Sequence, residues 1–165
     1  MGKFIIGIDA GTTGIRAIAF DHDSNVLSNA YSEFTQYFPE PGWVEHDANE
    51  IFDVTMAMIG KCVEDGGLNF DDLVAIGITN QRETTVLWDK NTGKAVYHSI
   101  VWQDMRTADR VTAFMEKYGD SKYATSGSIA MTNSTGPKVE WIMEHAPEVK
   151  AGIEAGDILY GWVDT

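Results

Sequence analysis

Two apolar runs flank a polar bend near the start of the chain, in the stretch GIDAGTTGIRAIAFD. Phe4–Ile8 and Ile15–Phe20 are rich in β-branched residues, whereas Asp9–Gly14 holds the small and polar residues typical of a turn. Runs this close along a chain pair as an antiparallel hairpin. A third run, Val26–Phe34, follows a second turn and predicts a three-stranded meander.

Hydrophobic spacing further along predicts a mixed α/β fold. One helical face collects Ile51, Val54, Thr55, Met58, Ile59, Cys62 and Val63, which predicts an amphipathic helix. Leu73–Thr79 is apolar on both faces and predicts a buried strand. Strands are also predicted at Thr85–Trp88 and Leu159–Val163, and helices at Thr107–Tyr118 and Lys138–His145. This order favours a single mixed α/β domain.

Charge and composition exclude several classes of protein. The chain has 165 residues and a net charge of −13, which repels nucleic-acid phosphates. No apolar run approaches the roughly 20 residues that span a bilayer, so no membrane insertion is expected. The single cysteine, Cys62, is predicted to be a buried thiol, and a cytoplasmic location is expected. The last residues, GWVDT, follow a predicted strand directly, which suggests a fragment of a longer chain.

The bend of the predicted hairpin has two interpretations. Gly11 allows a tight turn whose backbone N–H groups face an anion, and the hydroxyls of Thr12 and Thr13 add donors. Asp9, at the strand end, is placed to hold Mg²⁺ directly or through water. Arg16 adds a positive charge or lies on the outer face of its strand. An ordinary Asp- and Thr-containing hairpin turn explains the same residues.

Two later stretches carry clustered polar residues. In GITNQRETTVLWD, Arg82 and Glu83 offer donors and acceptors that suit hydroxyl groups, or form a solvated ion pair on a surface turn. In SIVWQDMRT, Trp102 and the following polar residues form the wall of a pocket. Alternatively, Trp102 is buried and Asp104 caps the next helix.

Together these stretches resemble the FGGY family of carbohydrate kinases. The resemblance rests on GIDAGTTGIRAIAFD, EFTQYFPEPGWVEHDANEI, AIGITNQRETTVLWDKNTGKAVYHSIVWQDMRT and KVEWI, which follow one another at the family's spacing. PGWVEHD and GITNQRETT are specific to its glycerol kinase branch. With this resemblance, the hairpin turn and the surface ion pair become the minority interpretations.

The resemblance implies a ribonuclease-H-like, actin-like ATPase fold and an ATP-dependent, Mg²⁺-dependent transfer of phosphate to a polyol. By match, Asp9 is the Mg²⁺-associated acid, and Arg82 and Glu83 bind the polyol hydroxyls. Trp102 packs on the polyol carbon skeleton. The residues implied at the nucleotide phosphates are Thr12, Thr13, Gly14 and Arg16.

One departure from the family concerns the acceptor. Asn133 stands five residues before Lys138, where glycerol kinases usually place a tyrosine that contacts glycerol. An amide there leaves more room and both donates and accepts hydrogen bonds, which makes a longer polyol or a ketose an alternative acceptor.

The second departure from the family is that this chain matches only part of the family's length. The family's base aspartate and its adenine-binding lobe lie beyond residues 1–165, which match an incomplete N-terminal lobe. We therefore expect this chain alone to be inactive, and expect the intact protein to be a homo-oligomer. The alternatives are a ribonuclease-H-like nuclease, which the negative charge disfavours, and a non-catalytic fragment that binds nucleotide or a partner.

Overall fold

The structure, a computed structural model, describes residues 2–119 and 129–163. They fold into two compact units. The first comprises residues 2–35 and 48–81, and the second takes the remaining described residues. In chain order the elements are β1 (Phe4–Ala10), β2 (Gly14–Phe20), β3 (Val26–Glu33), β4 (Glu45–His46), α1 (Ala48–Asp65), a 3-10 turn (Phe70–Asp72), β5 (Leu73–Asn80), β6 (Thr85–Asp89), β7 (Ser99–Ile100), α2 (Ala108–Tyr118), α3 (Thr135–His145), α4 (Pro147–Ala155) and β8 (Ile158–Trp162).

The first unit is one four-stranded sheet covered on one face by α1. Its strand order is β3-β2-β1-β5, in which β1, β2 and β3 form the predicted antiparallel meander and β5 runs parallel to β1. Alternate residues of β1 are buried beneath α1, as the two-residue period of a strand requires. From α1 the buried residues are Ile51, Ile59, Cys62 and Val63, on the predicted face.

The bend between β1 and β2 is shorter than predicted. Asp9 and Ala10 belong to β1, and Gly14 already pairs with Glu33 as part of β2. The turn proper is residues 11–13. The longer strands follow from pairing, because the partner strands satisfy backbone groups that sequence alone assigns to a loop.

The prediction that the strand at Leu73–Thr79 is buried is wrong. The strand exists as β5, but Val74, Ile76 and Ile78 are each about half exposed, at 55%, 46% and 57%. Within the described residues β5 is an edge strand paired with β1, while α1 packs over β1, β2 and β3. An apolar sequence therefore gave the right element but not its burial.

The second unit holds a second sheet, with strand order β4-β7-β6-β8, packed against α3 and α4. Its core consists of Leu87, Ile100, Ile142, Ala146 and Val149, with Tyr97, Trp141, Ile153 and Ile158 against them. The sequence did not predict β4, β7 or α4. No helix in the described ranges is both long and apolar enough to cross a lipid bilayer.

Candidate functional site

Asp9 lies on the face of the first sheet opposite α1. Its neighbours in β1, Ile8 and Ala10, are buried, whereas Asp9 is exposed. The strand register places Arg16 of β2 and Thr79 of β5 on either side of Asp9, and Tyr31 of β3 beyond Arg16. A row of four polar or aromatic side chains therefore crosses the sheet on this face.

The Asp9 carboxylate has the properties of a ligand for a hard cation. Among the described residues it forms no hydrogen bond or ion pair. The guanidinium of the neighbouring Arg16 lies over the Tyr31 ring, 4.9 Å from its centroid. The described residues contain no group of three or more metal-ligating side chains. One exposed carboxylate fits Mg²⁺, which usually takes one or two protein carboxylates and completes its shell with water and phosphate oxygens.

Two hydrogen bonds, one from the backbone and one from a side chain, stabilise the turn after β1. The Gly11 amide donates to the Gly14 carbonyl at 3.1 Å, so this amide closes the turn and does not face an anion. The side chain of Gln81, which follows β5 and is buried, donates from Nε2 to the Gly11 carbonyl at 3.3 Å. The predicted roles of Thr12, Thr13 and Gly14 at phosphates stay predictions.

Arg82 and Glu83 lie between β5 and β6 and do not pair with each other. Arg82 is exposed and has no hydrogen bond or ion pair among the described residues. Glu83 is half-buried, and its Oε2 accepts hydrogen bonds from the amide and hydroxyl of Thr135 at 3.0 and 3.2 Å. The alternative of a solvated Arg82–Glu83 ion pair is therefore wrong in this structure.

Trp102 and Asn133 are joined to the Glu83 segment through hydrogen bonds. The Trp102 amide donates to the hydroxyl of Thr84 at 3.2 Å, and its side chain is 41% exposed, so the prediction of a buried Trp102 is wrong. The buried ammonium of Lys138 donates to the carbonyls of Glu83 and Asn133 at 2.6 and 2.8 Å. The second unit thus joins Glu83, Trp102 and Asn133, three of the residues predicted to contact the polyol.

Asp104 has a structural role. Its carboxylate accepts from the Val44 amide at 2.7 Å and the Arg106 amide at 2.9 Å, and binds the Arg106 side chain through both oxygens. The next helix, α2, begins at Ala108 with Thr107 as its N-cap residue, so the prediction that Asp104 caps it is wrong. The Arg106 guanidinium also pairs with Glu45 at 2.8 Å.

Sequence reasoning assigned no role to Gln81, Thr135 or Lys138. For Lys138 a signal existed, since it precedes Ile142 by four residues and therefore shares its buried helix face. A lysine on such a face requires acceptors inside the protein. For Thr135 and Gln81 the sequence carried no comparable signal, because their partners are remote in the chain.

Comparison with known proteins identifies relatives over nearly the whole chain. Glycerol kinase from Leptospira biflexa is 48% identical over 164 residues, covering 99% of this chain and 33% of that protein. Glycerol kinase 2 from Thermotoga maritima is 44% identical, with the same coverage. The chain therefore spans about a third of the length of the curated relatives it matches.

Solved structures support the predicted fold. Plasmodium falciparum glycerol kinase with ADP matches with a TM-score of 0.90 and 30% identity, covering 99% of this chain and 33% of that one. Xylulose kinase from Rhodospirillum rubrum matches with a TM-score of 0.79 and 26% identity, covering 89% and 30%. The predicted α/β, ribonuclease-H-like class of the sugar kinases is confirmed.

The family model for the FGGY family of carbohydrate kinases, N-terminal domain, matches residues 4–165. The chain belongs to the FGGY family of carbohydrate kinases, of which it carries the N-terminal domain.

Proposed function

We propose that the protein containing this chain transfers the γ-phosphoryl group of ATP to a terminal hydroxyl of glycerol or a related polyol. Family membership and the glycerol kinase relatives support the reaction, and the ADP in the Plasmodium structure supports the nucleotide. The observation that carries the proposal is the Glu83 carboxylate. One of its oxygens is anchored by Thr135, and the other has no partner among the described residues.

The first unit is proposed to hold the phosphates. Mg²⁺, when bound, supplies charge neutralisation at the phosphate oxygens, and among the described residues we assign it to Asp9. Around the phosphates we place Thr12, Thr13, Gly14 and Arg16. The Arg16 guanidinium faces the same side of the sheet as Asp9, which supports this assignment.

The second unit is proposed to hold the acceptor. Arg82 donates to the acceptor hydroxyls, Glu83 accepts from them through its open oxygen, and the exposed ring of Trp102 covers the carbon skeleton. The resemblance places the base that removes the hydroxyl proton on an aspartate outside these residues. Transfer then depends on holding the hydroxyl in line with the phosphoryl group.

Asn133 favours a second acceptor class. Its side chain is half-buried and forms no hydrogen bond among the described residues, whereas its carbonyl is bound by Lys138. A free amide in place of an aromatic ring suits an acceptor with additional hydroxyl groups. A longer polyol or a ketose is therefore the second candidate. The proposal of an inactive nucleotide- or partner-binding fragment applies to these 165 residues taken alone.

The test uses the protein containing this chain, assayed with glycerol, erythritol and xylulose as acceptors. For the preferred acceptor, Arg82→Ala should raise KM about tenfold or more, since a charged hydrogen bond contributes roughly 1.5–3 kcal/mol. The KM for ATP should stay unchanged. As a control, Arg110→Ala removes an arginine that pairs with Glu140 and Glu144 on the surface.

A loss confined to ATP affinity in Arg82→Ala would show that Arg82 has been assigned to the wrong substrate. Erythritol or xylulose as the preferred acceptor would select the second candidate over glycerol. A cytoplasmic location, expected from the single cysteine, and homo-oligomerisation of the intact protein both stay predictions.

A further inference from the structure

The backbone at Glu83 adopts an unfavourable conformation that contacts from other residues must stabilise. Its φ is +67°, in the left-handed region that a residue with a long side chain rarely occupies. The Glu83 carbonyl accepts a 2.6 Å hydrogen bond from the Lys138 ammonium, which is fully buried. The bond stabilises the conformation that turns this segment between β5 and β6.

The Glu83 carboxylate is fixed at the beginning of α3. Thr135 is the first residue of that 11-residue helix, where backbone amides lack helical acceptors and the helix dipole favours negative charge. Its amide and hydroxyl both bind Oε2. Oε1 has no partner within residues 2–119 and 129–163, so the anchored carboxylate presents one defined oxygen.

A third residue orients the Thr135 hydroxyl. The indole Nε1 of Trp162 donates to Thr135 Oγ1 at 2.9 Å. An indole N–H only donates, so it occupies a lone pair of the hydroxyl and leaves the single hydroxyl proton for Glu83. The hydrogen bonds therefore run in one direction, from the Trp162 indole to the Thr135 hydroxyl and from that hydroxyl to the Glu83 carboxylate.

Lys138 connects Glu83 with Asn133. Its Nζ donates to the Asn133 carbonyl at 2.8 Å as well as to Glu83, so one side chain joins two main-chain segments. Burial lowers the pKa of Lys138 to about 8, and the nearby charge of Arg106 adds to this, whereas Glu83 and Asp104 act in the opposite direction. Near neutral pH the ammonium keeps its three donors.

We propose that Thr135 and Lys138 are positioning residues that hold Glu83 in the orientation in which it binds the acceptor alcohol. Thr135 sets the direction of the carboxylate, and Lys138 sets the backbone and its spacing from Asn133. This inference rests on the proposed function, since it assumes that Glu83 is an acceptor ligand. Neither residue touches the acceptor in this assignment.

The experiment measures acceptor and ATP kinetics in the protein containing this chain, with Glu83→Gln as reference. Thr135→Val keeps the shape of the side chain and removes the hydroxyl. We expect it to raise the acceptor KM about fivefold to tenfold, as the loss of one charge-assisted hydrogen bond does. The ATP KM should stay within about twofold, and Thr135→Ser should restore most of the acceptor affinity.

Lys138→Met tests the second contact and should raise the acceptor KM by a similar factor. Lys90→Met is its matched control, because Lys90 also donates to a main-chain carbonyl, that of Gly156, and contacts none of the acceptor residues. Circular dichroism of each variant reports folding. If Lys138→Met does not fold, the Thr135→Val and Thr135→Ser pair decides the question.

The outcomes separate the two proposals. An acceptor KM that rises in Glu83→Gln but not in Thr135→Val overturns the positioning role and leaves the proposed function intact. An unchanged acceptor KM in Glu83→Gln overturns the assignment of Glu83, and this inference with it. Equal changes in the acceptor and ATP constants of Thr135→Val, without rescue by serine, indicate a general structural effect and also overturn it.

Discussion

At the scale of single residues, buried charge determines how the second unit is arranged. The Arg106 side chain is 1% exposed and binds the carboxylates of Asp104 and Glu45. Its guanidinium lies 3.9 Å from the centroid of the Trp43 ring and 4.9 Å from that of Trp141. Because a buried ion must be paired, these groups fix one arrangement of the surrounding segments.

Lys138 predicts a measurable pH dependence of stability. The pKa of its ammonium is about 8 in the folded chain, against 10.5 as its ordinary value. Between these values the unfolded state binds more protons, so stability rises with pH. From about pH 7 to about pH 9.5 this group should add about 2 kcal/mol to the free energy of unfolding.

Urea denaturation of the 165-residue chain and of Lys138→Met at both pH values checks this. The difference in unfolding free energy between the two proteins should change in favour of the wild type as pH rises. Parallel pH profiles for the two would contradict the buried ammonium.

At the scale of elements, the pairing of β2 with β3 depends on a close approach of the two strands at Gly14. A Cβ on Gly14 would lie 2.6 Å from the carbonyl oxygen of Ser32 and 2.6 Å from the hydroxyl oxygen of Tyr31. The Ser32 carbonyl belongs to the backbone of β3, so it cannot move without disturbing the sheet. Packing against β3 therefore requires glycine at position 14, independently of any phosphate binding.

Gly14→Ala should lower the free energy of unfolding by about 1–3 kcal/mol, because it overpacks a paired strand. Gly77→Ala in β5 is the matched control, since a Cβ there meets no atom within 4 Å. It should be neutral or stabilise by up to about 1 kcal/mol. Thermal and urea denaturation of both variants measure the difference. Equal stability of Gly14→Ala and Gly77→Ala would show that β3 can move to accommodate the added methyl group.

At the scale of the whole molecule, each compact unit carries a different group of the proposed residues. The residues assigned to the phosphates are in the first unit, and those assigned to the acceptor are in the second. Among the described residues the chain passes between the units three times, the last time between Gln81, whose side chain binds the hairpin turn, and Arg82. Both groups of proposed residues therefore fall within residues 4–165, which match the family model of the N-terminal domain.

We predict that the 165-residue chain alone does not phosphorylate glycerol. Phosphoryl transfer needs a correctly placed base and a fully bound nucleotide, and the resemblance assigns both to residues outside this domain. A coupled assay for ADP with glycerol, ATP and Mg²⁺ measures this, with Leptospira biflexa glycerol kinase as positive control. Turnover by the chain at a rate near that of the control would refute the prediction.

Local pattern was enough for much of the fold. The meander and α1 were predicted from the spacing of their apolar residues. Each element buries one face, so its apolar residues recur with the period of a strand or a helix. Three elements were missed, and several others differ from their predicted bounds by one to three residues. β4 and β7 are two residues long and carry no period, and α4 begins at Pro147, with only Ala146 between it and the end of α3. Their existence depends on partners elsewhere in the chain.

The sequence by itself determined the family, the strand and helix types, and the identity of the polar residues grouped near Asp9 and Glu83. Only the tertiary structure decided that β5 is exposed, that Arg82 and Glu83 do not pair, and that Lys138 and Thr135 hold Glu83. The physical reason is that periodicity acts between neighbours along the chain. Burial and hydrogen bonding depend on groups 52 and 55 residues apart, as for Glu83 with Thr135 and Lys138.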